Sequence, residues 1–174
     1  MPRGVCLVGF MGAGKTTVGR ILAQLLEWSF VDIDERIARQ QSRSVAELFQ
    51  QSGEAVFRGL EQAALREVLL EFEDQPFVLS IGGGAFLQVE SARALRSKHL
   101  LIVFLDAPAD ELYQRCVQEN ARRPLLRDPN HFRQLYDRRR STYMEADMRV
   151  DTSRILPAEV AARVVSLLGL KDRS

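Results

Sequence analysis

Residues 9–16 read Gly9-Phe10-Met11-Gly12-Ala13-Gly14-Lys15-Thr16, and this run restricts the possible folds more than any other stretch. Two glycines with four residues between them, followed by lysine and a hydroxyl residue, are the spacing of a phosphate-binding loop. The surroundings fit. Val5 to Val8 is a short apolar, β-rich run that ends at Gly9, and Lys15 to Leu26 places Val18, Ile21, Leu22, Leu25 and Leu26 at helical spacing. Strand, glycine loop and helix follow in the order that phosphate binding requires. The glycines tolerate backbone angles that turn successive amides inward, the helix adds the positive end of its dipole, and Lys15 neutralises phosphate charge. The Thr16 hydroxyl is placed for Mg²⁺. A glycine turn with an exposed lysine would need neither flanking element.

The remaining chain keeps the alternation. Phe30 to Asp32 reads as a second strand, and Ile33 to Leu70 as helical segments broken near Gln41 to Ser44 and at Gly53. Phe77 to Ile81 reads as a third strand, stopped by Gly82-Gly83-Gly84 and followed by a helix from about Val89 to Arg96. Leu100 to Leu105 is apolar throughout, which suits the buried middle of a parallel sheet. A helix over Pro108 to Val117, an arginine-rich loop to about Pro129, a helix through Tyr143, a strand Arg149 to Asp151 and a last helix from Pro157 complete the chain. Strands separated by helices imply right-handed crossovers and a three-layer α/β/α sandwich around a five-stranded parallel sheet. There is no internal repeat and no linker, so residues 1–174 read as a single domain.

Composition narrows the function by exclusion. With 24 Lys and Arg against 23 Asp and Glu, the formal charge is +1, and a general nucleic-acid or membrane-surface binder would need a basic excess. A run of six apolar residues, Leu100 to Leu105, is far short of a membrane span, and the N-terminus lacks a signal-type cleavage region. Cys6 lies in an apolar strand pattern and Cys116 late in a helical one; two buried free thiols fit a reducing cytoplasm.

A phosphate loop alone leaves a kinase, a switch GTPase and a motor ATPase open. Asp32 and Asp34 stand at the carboxyl end of the second strand, where open α/β sheets place ligands; strand alternation puts both on one side, one toward a metal's water shell and one toward a substrate hydroxyl. Capping by Asp34 of the helix that follows is the alternative. Gly82-Gly83-Gly84 reaches the same edge and lets backbone approach a ligand closely, or is a plain tight turn. Arg58 in its helix reads on its own as a snorkelling surface arginine. Arg122-Arg123-Pro124-Leu125-Leu126-Arg127 is either a solvated charge cluster or a basic flap that closes over the γ-phosphate. Asp106 imitates the metal-binding acid of other phosphate-loop proteins, although Ala107-Pro108 after it favours a helix-start residue. His99 and His131 lack a ligand set, and Trp28 reads as packing. A guanine-reading Asn-Lys-x-Asp segment, which a switch GTPase would carry, does not occur.

Taken together, these residues resemble the shikimate kinase family, in order and over nearly the whole chain. The resemblance rests on the phosphate loop, Phe30-Val31-Asp32-Ile33-Asp34, Phe57-Arg58, Gly82-Gly83-Gly84, Arg123-Pro124-Leu125-Leu126, and the Arg-x-x-x-Tyr of Arg139 to Tyr143. It implies a nucleoside monophosphate kinase-like fold with a phosphate loop at about 9–17, a substrate-binding helical region at about 33–62 and a mobile lid at about 118–128. It implies transfer of the ATP γ-phosphoryl group to the 3-hydroxyl of shikimate, with Mg²⁺, on the route to chorismate. Asp34 would bind and deprotonate the acceptor, Arg58 and Arg139 would hold its carboxylate, and Gly82, Gly83 and Gly84 would meet its ring hydroxyls. Gly12, Ala13, Gly14, Lys15, Thr16 and Thr17 would bind the nucleotide phosphates, with Thr16 and, through water, Asp32 on the metal. Arg123 would close with the lid, and Arg154 would lie by the adenine edge. Relatives carry an adenine-stacking arginine seven positions before the lid arginine, where this chain has Cys116 beside Arg115, so the base contact is unassigned. Kinases of gluconate or a nucleoside monophosphate are the neighbouring alternatives, and a monomer follows from the lack of a coiled-coil seam.

Overall fold

The computed structural model describes residues 2–119 and 128–169. Five strands, β1 (Gly4–Val8), β2 (Ser29–Asp32), β3 (Phe77–Ser80), β4 (Leu101–Asp106) and β5 (Met148–Asp151), form one sheet in the order β2-β3-β1-β4-β5. Every pairing is parallel, with Cys6 opposite Leu79 on one side and Ile102 on the other. The apolar runs go where burial is greatest. All five residues of β1 and all four of β3 are buried, while the edge strands β2 and β5 alternate with partly exposed positions.

Among the described residues, seven helices connect and cover the strands: α1 (Lys15–Leu26), α2 (Ile33–Gln41), α3 (Val45–Glu71), α4 (Val89–Ser97), α5 (Ala109–Gln118), α6 (Pro129–Tyr143) and α7 (Pro157–Leu167). The path from β1 to β2 runs in the opposite direction across the sheet from the paths β2 to β3, β3 to β4 and β4 to β5. Right-handed crossovers therefore put α1 on one face and α2 to α6 on the other. The helix contacts agree: α1 packs on α7, while α2 packs on α3, α3 on α4 and α5 on α6. The reversal falls at β1, so the crevice beyond its carboxyl end is the topological switch point where such sheets bind ligands.

The helix breaks have local causes. The Ser44 Oγ accepts from the Glu47 amide at 3.2 Å while the Glu47 carboxylate accepts from the Ser44 amide at 2.8 Å, a capping box that restarts the chain after α2. Within α3, Gly53 stands at φ 81°, a left-handed angle that only glycine adopts without strain, and the kink separates the first turns from the segment carrying Arg58. No helix among the described residues is long and apolar enough to cross a membrane.

Candidate active site

Beyond the carboxyl ends of β1, β2 and β3 lies a polar cavity of about 210 Å³, with Gly12, Gly14, Lys15, Thr16 and Thr17 on one wall. Asp32, Asp34, Ser80, Gly82, Gly83 and Arg139 form the other. The two walls are the phosphate loop and the edge of the sheet that faces it.

On the loop side, Gly12 and Gly14 stand at φ 80° and 84°, and Gly14 opens α1 without any side-chain cap, so the first amides of the helix are left for a ligand. A Cβ on Gly12 would fall 2.6 Å from the Leu112 carbonyl and 2.8 Å from the Cys116 sulfur, which explains the glycine there. The Lys15 ammonium donates to the Gly9 and Phe10 carbonyls at 2.8 and 3.1 Å, folded back across its own loop. Thr16 Oγ1 donates to Asp32 Oδ2 at 2.6 Å. The other Asp32 oxygen accepts from the Glu35 amide at 3.1 Å, so Asp32 is the cap of α2. This corrects the strand-alternation argument. The strand ends at Asp32 and Ile33 already begins the helix, so Asp34 reaches the cavity from the first turn of α2, and the capping role considered for it belongs to Asp32.

On the facing side the three glycines let charged groups converge. A Cβ on Gly82 would sit 3.0 Å from oxygens of both Asp34 and Glu61. On Gly83 it would lie 3.3 Å from the Tyr143 hydroxyl and 3.5 Å from Arg139 Nη1. On Gly84 it would overlap the Arg58 guanidinium carbon at 2.6 Å. Two arginines from different helices thus flank one backbone turn. Arg58 is no surface snorkeller: its side chain is 14% exposed and Nη1 donates to Glu61 Oε2 at 2.5 Å. Tyr143 donates to the Gly83 carbonyl, and burial pushes its phenol up to about 12, so it stays a donor throughout the physiological range.

Glu61 and Tyr143 are contributors that the sequence reading did not assign. Glu61 is 2% exposed, and Oε1 has no hydrogen-bond partner. Burial raises its carboxyl above the usual carboxylate range, with the Arg58 ion pair opposing in part. The available signal was a glutamate three residues after an arginine on the apolar side of α3; Tyr143 is likewise one helical turn from Arg139.

Arg115 ties α5 to the phosphate loop and to the segment after β5. Its Nη2 donates to the Thr152 carbonyl at 2.7 Å and to Glu111 at 2.5 Å, and Nη1 reaches the Gly12 carbonyl at 3.4 Å. Cys116 is buried, with its sulfur packed beneath Gly12 of the same loop. Arg154, held at φ 54° with its amide donating to Glu111 at 3.0 Å, is exposed and does not line the cavity. Arg123 and residues 120–127 of the expected lid lie outside the described residues. Among the described residues no group of three or more His, Cys, Asp or Glu side chains is arranged for a metal. Asp106 is neither a metal acid nor a helix start: α5 is capped at Pro108, and the carboxylate is taken up by Tyr136, Arg140 and Arg149.

A phosphate loop at the switch point, facing a wall that carries Asp34 and Arg139 with Arg58 packed behind Gly84, defines a phosphate-loop phosphotransferase. Comparison with known proteins gives the particular one. A family model described as "Shikimate kinase" matches residues 11–169. Among curated proteins, the shikimate kinase of Ruegeria pomeroyi is 45% identical over 147 residues, covering 83% of this chain and 73% of its own. That of Cereibacter sphaeroides is 40% identical over 170 residues, covering 96% and 83%. Among solved structures, shikimate kinase from Acinetobacter baumannii in complex with shikimate superposes with a TM-score of 0.87 at 32% identity, covering 100% of this chain and 96% of that one. The chain belongs to the shikimate kinase family.

Two outcomes follow from this geometry. Gly84→Ala is expected to raise KM for the acceptor by about tenfold or more, because the added methyl displaces the Arg58 guanidinium, and to lower the denaturation midpoint, because the buried Glu61 carboxylate loses its partner; an unchanged KM would remove Arg58 from acceptor binding. A carboxyl raised by folding contributes stability that is complete below its unfolded value of about 4.3 and is lost as pH rises through its folded value. The denaturation midpoint of Glu61→Gln is therefore expected to gain on wild type as pH is raised from about 4 to about 8, whereas a difference independent of pH would show that the carboxyl is not perturbed.

Proposed function

We propose that this protein transfers the γ-phosphoryl group of ATP to the 3-hydroxyl of shikimate, giving ADP and shikimate 3-phosphate, in the chorismate route to aromatic amino acids. The observation that carries the assignment is the pair Arg58 and Arg139 packed at Gly84 and Gly83, with Asp34 at the neighbouring Gly82. A planar carboxylate flanked by two guanidinium forks is fixed in orientation, so the ring hydroxyls turn toward Asp34 and the Gly82 to Gly84 backbone. Gluconate also bears a carboxylate and is separated from shikimate by turnover, whereas a monophosphate acceptor would need a phosphate-binding basic set that the facing wall lacks among the described residues.

The roles then follow. Backbone amides of Gly12, Ala13 and Gly14 and the side chains of Lys15, Thr16 and Thr17 bind the β- and γ-phosphates. Lys15 leaves the Gly9 and Phe10 carbonyls to do so. Thr16 and Asp32 suit Mg²⁺, which takes few protein ligands and keeps several waters: Thr16 keeps its proton on Asp32 and offers a lone pair, and Asp32 meets the ion's water shell. The ion, when bound, neutralises charge between the β- and γ-phosphoryl oxygens. Asp34 accepts the proton of the 3-hydroxyl as the oxygen–phosphorus bond forms and the bond to the β-phosphate oxygen breaks. Lys15 and Arg123, the latter on the lid at about 118–128, stabilise the charge on the transferring group. Arg115 takes the place of the family's adenine-stacking arginine, beside the Thr152 segment, with Arg154 at the base edge. The catalytic unit is one domain, acting as a monomer in the cytoplasm.

Steady-state turnover with shikimate, quinate, gluconate and AMP as parallel acceptors tests the reading. Shikimate is expected to give the highest kcat/KM, and Asp34→Asn to lower kcat by about two to four orders of magnitude while MgATP still binds. Preference for another acceptor, or full activity of Asp34→Asn, would overturn it.

A further inference from the structure

Asp106 closes β4, is 3% exposed, and is used by no step above. A buried carboxylate is costly unless it is fully paired, and here the partners come from two later elements. Tyr136 and Arg140, one turn apart on α6, donate to it at 3.0 and 2.8 Å, and Arg149 of β5 donates through Nε at 2.8 Å. The Asp106 main-chain carbonyl accepts from the Thr152 amide at 2.8 Å. The same helix turns another stripe toward the site. Phe132, Tyr136, Arg139 and Tyr143 follow at spacings of four, three and four residues. Phe10 of the phosphate loop meets Phe132 and Tyr136 edge to face, at 5.0 and 5.7 Å between ring centroids. The Arg139 guanidinium stands 5.7 Å from the Phe10 centroid.

We propose that Asp106 is a positioning residue for acceptor binding: through Arg140 and Tyr136 it fixes the rotation and height of α6, and so the place where Arg139 presents its guanidinium. The inference rests on the reading of Arg139 as a carboxylate anchor. Arg139 and Arg140 are consecutive on one rigid turn, so the charge that holds Arg140 also sets the direction of Arg139. The apolar contacts of Phe132 allow α6 to slide or roll, whereas the carboxylate, meeting one phenol and two guanidinium groups at hydrogen-bond distance, does not. Bidentate recognition of a carboxylate is sensitive to such a shift. Tyr136, whose phenol burial and the Asp106 charge push up to about 12, remains a donor to that carboxylate at every working pH.

The test is a double-mutant cycle read by calorimetric binding of shikimate to the full chain, with MgATP affinity measured in parallel. Arg140 is 36% exposed, so Arg140→Met empties no core site. Arg140→Met is expected to weaken shikimate binding by about five- to tenfold, with MgATP affinity changed less than about twofold, and Arg140→Lys to restore much of the loss. Asp106→Asn is expected to behave like Arg140→Met. In an Arg139→Ala background, Arg140→Met should add less than about twofold, because the group it acts through is gone. If Arg140→Met has no effect, or its full factor persists without Arg139, the proposal fails while the Arg139 reading stands. If Arg139→Ala itself leaves shikimate affinity unchanged, the anchor reading fails first, and the positioning role with it.

Discussion

The hydrogen bond from Thr16 to Asp32 joins the two halves of the site. Thr16 begins the helix that follows the phosphate loop, and Asp32 ends the strand beside β3 and caps the helix that carries Asp34. One carboxylate thus fixes the start of α1 relative to the start of α2. On the proposed reading, the distance between the phosphates and the acceptor's reacting hydroxyl is set by this contact of 2.6 Å and two helix N-termini. Phosphoryl transfer needs little covalent help and depends on that separation and on charge placement. A site built on strand ends and first helical turns supplies both.

The opposite wall depends on the absence of side chains. At Gly82, Gly83 and Gly84 the space a Cβ would take is filled by Asp34 and Glu61, by Tyr143 and Arg139, and by Arg58. Groups from α2, α3 and α6 converge because the backbone between them is bare. The convergence has a cost. Glu61 is buried with a raised carboxyl and one unpaired oxygen, beside an arginine that needs it. Functional sites store unfavourable electrostatics in this way, and the pair keeps Arg58 against Gly84 rather than in water.

Much of the architecture was legible in the sequence because period and punctuation carry it. The apolar run of β4 up to Leu105, the Ser44 and Glu47 that restart the chain after α2 and the kink at Gly53 each follow from residue type in a short stretch of sequence. Face and partner were less legible. Asp32 and Asp34 were placed by strand alternation, but the strand stops between them, and a one-residue boundary shift changes which way a side chain points. Asp106 looked like a helix start because of the proline after it; its three partners lie 30 to 43 residues further along, and no local pattern encodes them. Arg58 looked like a surface arginine for the same reason: Gly84, which it packs on, is distant in sequence. Arg115 and Cys116 are adjacent, and only the helix rotation decides that the arginine reaches the Thr152 carbonyl while the cysteine is buried beneath Gly12.

The central claim is that the facing wall orients one hydroxyl of a carboxylate-bearing ring toward the γ-phosphate. Phosphorus NMR of the reaction with MgATP and shikimate tests it most directly. The account predicts a single phosphate monoester coupled to the proton at carbon 3, formed in equal amount with ADP and without free phosphate. Inorganic phosphate in place of the ester, or an ester at another ring hydroxyl, would contradict it.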